Sequence, residues 1–305
     1  MNWTLSDTRE APSARTNRVT PRWLDVTRGN APLIVSLPHT GTEIPSDYAD
    51  DFVSPWIARL DTDWWVDCLY NFVSADLNAT VVRTSISRSV IDVNRDPSGR
   101  PLYPGRPSTE LCPTVTFDGS PLYKKGRAPH KNDIDRRRAL YFDPYHAALA
   151  AEIARLKAMH QSVVLYDCHS IRSAIPRLFS GVLPELNIGT DDGISCGAGL
   201  AQLIVGLCTK SRRPYVLNGR FKGGWITRHY GSPVDGVHAL QMELACRSYM
   251  REPSGPVSES NWPKMYDPNL ARPISELLRL FLDACIQFAD VPTSAADNKT
   301  HKEKL

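Results

Sequence analysis

Two short apolar runs, each leading to a histidine, restrict what this chain can fold into. Residues 33–37 (LIVSL) pass through Pro38 to His39, and residues 163–166 run at once into Asp167-Cys168-His169-Ser170. Apolar runs of four or five residues bounded by turn signals suit strands buried on both faces, and such strands belong to parallel sheets covered by helices. Residues 79–84 and 89–93 read as further strands, the second running into Asn94 and Arg95. Residues 215–217 read as another. Residues 237–244 alternate, with Leu240, Met242 and Leu244 on one face and Ala239, Gln241 and Glu243 on the other.

Helical patterns separate these runs. Trp56, Leu60, Trp64, Cys68 and Phe72 recur at spacings of four, which predicts a helix over 55–73. Others are expected over 133–159, with a restart at Asp143-Pro144, over 198–208 and over 267–288. Strands alternating with helices predict an α/β fold around a largely parallel sheet. Ligands bind such sheets beyond the strand C-termini, where His39, Asn94–Arg95 and His169 all arrive.

No internal repeat or shift in composition marks a second domain. The expected organisation is a polar N-terminal arm over 1–30, one catalytic domain over 31–290, and a disordered tail over 291–305. The proline- and glycine-rich stretch 96–130 is long enough to be a lid. A net charge of +3 is too small for a nucleic-acid-binding field. No window approaches a membrane span and no secretory signal is evident. Seven scattered cysteines without a CxxC pair argue against a disulfide framework. Together these predict a cytoplasmic protein with neither nucleic acid nor membrane as partner.

Two histidines and a carboxylate form a common catalytic zinc set, with the fourth position open. Glu43, Asp61 and Asp63 are the carboxylate candidates, and spacing does not choose among them. Glu243 sits on an otherwise apolar strand, where an ionised group needs a partner or a function. Arg88, Arg95, Arg172, Arg177, Arg220 and Arg228 crowd the same edge and point to a small acidic substrate. Cys168 and His169, as strand neighbours, face opposite ways and are poorly placed as nucleophile and base.

Ten segments carry a resemblance: LIVSLPHTGTEIP, LDTDWWVDCLY, SRSVIDVNRDPSG, YPGR, TVTFDGSPLY, YHAALAAEI, YDCHSIRS, PRLFSGVLPELNIGT, NGRFKGGWITRHYG and GVHALQMEL. In this order, over about residues 31 to 250, they resemble the N-formylglutamate amidohydrolase family. The resemblance implies a three-layer α/β/α domain with a mostly parallel, mixed, zinc-carboxypeptidase-like sheet. It also implies one Zn2+ ion and hydrolysis of N-formyl-L-glutamate to formate and L-glutamate in histidine degradation.

Carried onto this chain, the resemblance makes His39 and His169 metal ligands and Glu243 the general base. The wider group writes its first motif His-x-x-Glu. Here Glu43 lies one position further on, so Asp63 is favoured as third ligand over Asp61 and Glu43. Asn94 and Arg95 would hold a substrate carboxylate, helped by Arg177 or Arg228. The alternatives are a zinc deacylase or carboxypeptidase-like enzyme for another N-acyl amino acid, and a binding protein for an acidic metabolite. Either a monomer or a small homo-oligomer fits.

Overall fold

The computed structural model describes residues 21–101, 105 and 109–291. Seven strands form one mixed sheet among the described residues: β1 (Leu24–Thr27), β2 (Leu33–Leu37), β3 (Thr80–Thr84), β4 (Val163–Ile171), β5 (Leu186–Gly189), β6 (Tyr215–Leu217) and β7 (Val237–Ala245). Their order is β1-β3-β2-β4-β7-β5-β6. The central strands β3, β2, β4 and β7 are parallel, so their C-termini share one edge. At the flanks, β1 runs antiparallel to β3 and β5 antiparallel to β7.

Helices cover both faces. Helices α1 (Ser46–Ala49), α2 (Val66–Leu69) and α3 (Val73–Leu77) are one-turn pieces; α4 (Lys131–Arg137), α5 (Asp143–Lys157), α6 (Ala198–Ser211), α7 (Trp225–Tyr230) and α8 (Pro268–Asp290) follow. Leu33, Val35, Tyr166, Cys168, Leu240 and Met242 pack with apolar residues of α6 and α8. On the other face, Ile34, Val163, Leu165 and Ala239 pack with Tyr145, Leu149 and Leu156 of α5. Helix α8 buries Ala271, Ile274, Leu278, Phe281, Leu282 and Cys285, the stripe that its spacing requires. Asp267 caps it by accepting from Asn269 N and Leu270 N, worth about 1 kcal/mol. Among the described residues no helix is long and apolar enough to cross a membrane.

Several expectations are corrected. The arm expected over 1–30 includes β1, whose Leu24 packs into the core as an edge strand; residues 1–20 lie outside the described residues. Of the tail expected over 291–305, residues 292–305 likewise lie outside them, as do 102–104 and 106–108 of the expected lid. Residues 89–93 form a buried turn in place of a strand. The single helix over 55–73 is broken: one helical turn ends at Arg59, and α2 begins at Val66 after Trp65, which takes a left-handed conformation (φ 63°). That backbone costs on the order of 1–3 kcal/mol, offset where its ring meets Trp64 and Tyr266 and its indole donates to Lys264 O. Helices α4 and α5 join through a π-helical turn, so no restart occurs at Asp143. Strand β5 and helix α7 fall in stretches that read as loops.

Helix α5 also reaches toward the strand ends. His146 Nε2 donates to Val93 O at 2.8 Å, and its Nδ1 meets the Tyr230 hydroxyl at 3.0 Å. Burial opposes the charge on this ring and pushes its pKa down from 6.5 to about 4. The unfolded chain therefore takes up a proton below pH 6.5 that the folded chain refuses until about pH 4. Stability is complete above that window and falls as the pH drops through it, by roughly 2 kcal/mol between pH 7 and pH 5. Urea unfolding at both pH values should show this loss shrinking in His146→Gln. An unchanged loss would assign the acid sensitivity to other groups.

Candidate metal centre

The two histidines arrive on neighbouring parallel strands. His39 follows β2 through Pro38, and His169 lies inside β4, which extends five residues past Tyr166. Asp63 comes from the broken helical stretch, and its backbone N–H donates to His39 O at 3.0 Å. The left-handed turn at Trp65 follows directly and sets the path of this loop. His39, Asp63 and His169 are all buried, and their potential ligand atoms lie within 4.8 Å of one another.

Each ring is oriented from behind. His39 Nε2 donates to Asp92 Oδ1 at 2.7 Å, and His169 Nε2 donates to Asp167 Oδ2 at 2.8 Å. Carboxylates that accept from one ring nitrogen fix the tautomer and leave the other free to bind a metal. Both Nδ1 atoms face Asp63 Oδ2, at 3.6 Å from His39 and 3.1 Å from His169. The His39 Nδ1 is buried and has no hydrogen-bond partner. A neutral ring would set its Nδ1 lone pair against a carboxylate oxygen, which is repulsive unless a positive charge lies between them.

The electrostatics lead to the same conclusion. Burial opposes charging His169, but Asp167 and Asp63 outweigh it and push the pKa up to about 10. Burial would likewise raise Asp63, but the hydrogen bond from His169, the nearby His39 ring and the charge of Arg88 hold it well below the usual carboxylate range. This cluster attracts positive charge, and two imidazoles with one carboxylate suit a divalent zinc-like ion. Glu43 and Asp61 do not join the cluster. Glu43 is exposed, its backbone bridged to Ile86. Asp61 Oδ2 accepts from Phe117 N at 2.7 Å, which pins the turn at residues 116–120.

Glu243 stands beside this cluster because β4 and β7 pair with His169 opposite Glu243. Its carboxylate opens into a cleft lined by His39, His169, Asn94, Arg88, Arg95, Arg220, Phe117 and Gln241. Burial pushes its pKa up to about 7, against the charge of His169 and with that of Asp63. A group near neutrality can take up and release a proton at physiological pH.

The arginines separate into distinct roles. Arg88 bridges Asp63 Oδ1 (3.3 Å) and Asp92 Oδ2 (2.7 Å). Arg95 lines the cleft and is braced by Thr109 and by Asn94 O. Arg220 lines the cleft too, with Nε donating to Leu178 O at 3.0 Å and its guanidinium over the Phe221 ring. Arg177 and Arg228, expected at the substrate, lie outside the cleft lining. Arg177 donates to Thr116 O and Phe117 O and lies against Gly119, so it braces a loop. Arg228 donates to Gly223 O and pairs with Asp191 at 3.4 Å. Asn94 is in the cleft wall, but its amide is engaged: Nδ2 donates to Asp167 Oδ2 at 3.0 Å, and Oδ1 accepts from Ile226 N at 2.8 Å. It braces Asp167 and the His169 ring.

A sequence model of the N-formylglutamate amidohydrolase family matches residues 31–250. The chain is 42% identical over 260 residues to an N-formylglutamate deformylase of Pseudomonas putida, covering 85% of this chain and 94% of that protein. It is 41% identical to one of Pseudomonas aeruginosa, with coverage of 86% and 96%. The crystal structure of an N-formylglutamate amidohydrolase from Ralstonia eutropha JMP134 superimposes with a TM-score of 0.69 at 25% identity, covering 89% of this chain and 98% of that one.

Proposed function

We propose, because this chain belongs to the N-formylglutamate amidohydrolase family, that it hydrolyses N-formyl-L-glutamate to formate and L-glutamate with one bound zinc ion. The observation that carries this reading is the buried convergence of His39 Nδ1, Asp63 and His169 Nδ1 next to Glu243, in a cleft walled by Arg95 and Arg220. His39, Asp63 and His169 would hold the ion. When bound, it supplies Lewis acidity, polarising the formyl oxygen and making a water more acidic.

The chain's own residues do the rest. Glu243 takes a proton from the attacking water as the new C–O bond forms, then delivers it to the departing amine nitrogen as the C–N bond breaks. Asp92 and Asp167 keep both rings in the ligating tautomer. Arg95 and Arg220 receive the two carboxylates of the glutamyl portion. The formyl group is tiny, so most of the binding energy available for orientation comes from those carboxylates.

The Pseudomonas relatives are deformylases by name, which supports this substrate. Its products suit a closing step of histidine degradation. The seven free thiols favour the reducing cytoplasm.

Formate release by purified protein tests the assignment. N-Formylglutamate should be turned over, and N-formylglutamine should lose roughly 10–100-fold in kcat/KM, the worth of one charge-assisted hydrogen-bonded contact. Arg220→Met should narrow that gap. Equal rates on N-formylglutamate and N-formylglutamine in the wild type would exclude a grip on the side-chain carboxylate.

A further inference from the structure

The cleft wall contains a polar group that the proposed chemistry has not used. Gln241 lies two residues before Glu243 on the same face of β7 and is buried. Its Nε2 donates to Glu243 Oε2 at 2.8 Å, and its Oε1 accepts from Gly224 N at 2.7 Å. Both ends of the amide are therefore engaged, which fixes its orientation. Gly224 begins the turn into α7, and the next backbone donors of that turn go to Asn94: Trp225 N to its carbonyl (3.3 Å) and Ile226 N to its Oδ1 (2.8 Å). Asn94 in turn donates to Asp167, the orienter of His169. One hydrogen-bonded path thus joins the Glu243 carboxylate to the carboxylate behind the His169 ring.

We infer that Gln241 is a positioning residue for the hydrolytic step: it locks one oxygen of Glu243 and leaves Oε1 aimed at the reacting water. This rests on Glu243 being the base, as proposed above. A buried carboxylate with one oxygen held by a neutral donor has fewer rotamers open to it. Gly224 is required in this path, because a Cβ there would lie 2.3 Å from Asn94 Nδ2. The turn can approach Asn94 closely enough to donate both hydrogen bonds only without a side chain.

Two variants separate positioning from packing. Gln241→Met keeps the volume and removes both polar contacts. Gln241→Glu keeps the shape and an acceptor for Gly224 N, but offers no donor to an ionised Glu243. Each should lower kcat for N-formylglutamate by about 10–100-fold, the scale of a small misplacement of a reacting group. KM should stay within about twofold and bound metal should be unchanged, since neither carboxylate grip nor ligand is touched. Wild-type kcat in either variant would overturn the inference. Loss of metal together with kcat would also overturn it, assigning Gln241 to the ligand shell. A crystal structure of Gln241→Met supplies an arm independent of the substrate. Glu243 should be displaced or split between rotamers; Glu243 in its original place overturns the inference, even if the wild type proves inactive on N-formylglutamate and only the functional reading has failed.

Discussion

Glu243→Gln should lower kcat by about 10²–10⁴ while the protein keeps its metal. The two side chains have nearly the same shape, so the cleft and the Gln241 contact site persist. What disappears is the capacity to accept a proton from water and return it to nitrogen. His39, Asp63 and His169 converge without Glu243, so metal stoichiometry should not move. Metal analysis beside single-turnover formate release checks both halves. Turnover at the wild-type rate would remove Glu243 from the chemistry and direct attention to another proton carrier in the cleft.

Asp63→Ala should abolish metal binding and weaken the fold at the same time. Asp63 is 1% exposed and neutralises more than one partner. Its Oδ2 meets His169 Nδ1 and accepts from Ser170 N, and its Oδ1 accepts from Arg88. Without it, Arg88 keeps Asp92 but loses its second anion inside the protein. Breaking a buried charge pair by removing one member costs about 3–5 kcal/mol. Asp63→Asn should lose the metal with a smaller stability penalty, because the amide oxygen still accepts from Ser170 N. Calorimetry with and without added zinc measures both effects. A variant that binds zinc stoichiometrically would remove Asp63 from the ligand set.

Much of this layout could be read from the sequence where local pattern governs structure. Apolar runs 33–37 and 163–166 mark the strands that bring His39 and His169 to one edge, and the alternation in 237–244 separates Glu243 from the apolar face. The two orienting aspartates do not stand out by spacing alone, although a signal exists for one of them. Asp167 precedes His169 by two, so on a strand both point the same way. Asp92 had no such mark, because residues 89–93 read as a strand when they form a turn. Arg220 could not be separated from Arg177 and Arg228, since loop arginines follow no period and their targets are decided by tertiary placement. The break at Trp65 was hidden for a related reason: the stripe of tryptophans is real, but a left-handed residue within it redirects the chain.

The pairing of β4 with β7 has a consequence for how such a molecule can change. His169 and Glu243 are opposite one another in adjacent parallel strands, so the interval between them is set by the lateral repeat of the sheet, about 4.8 Å. The backbone works here as a ruler. Surrounding segments that carry Thr109, Phe117 or Arg220 can be lengthened, shortened or recharged without altering that interval. Selectivity and reactivity are thereby stored in separable stretches of chain, and new acyl-amino acids could be accommodated by editing the rim alone.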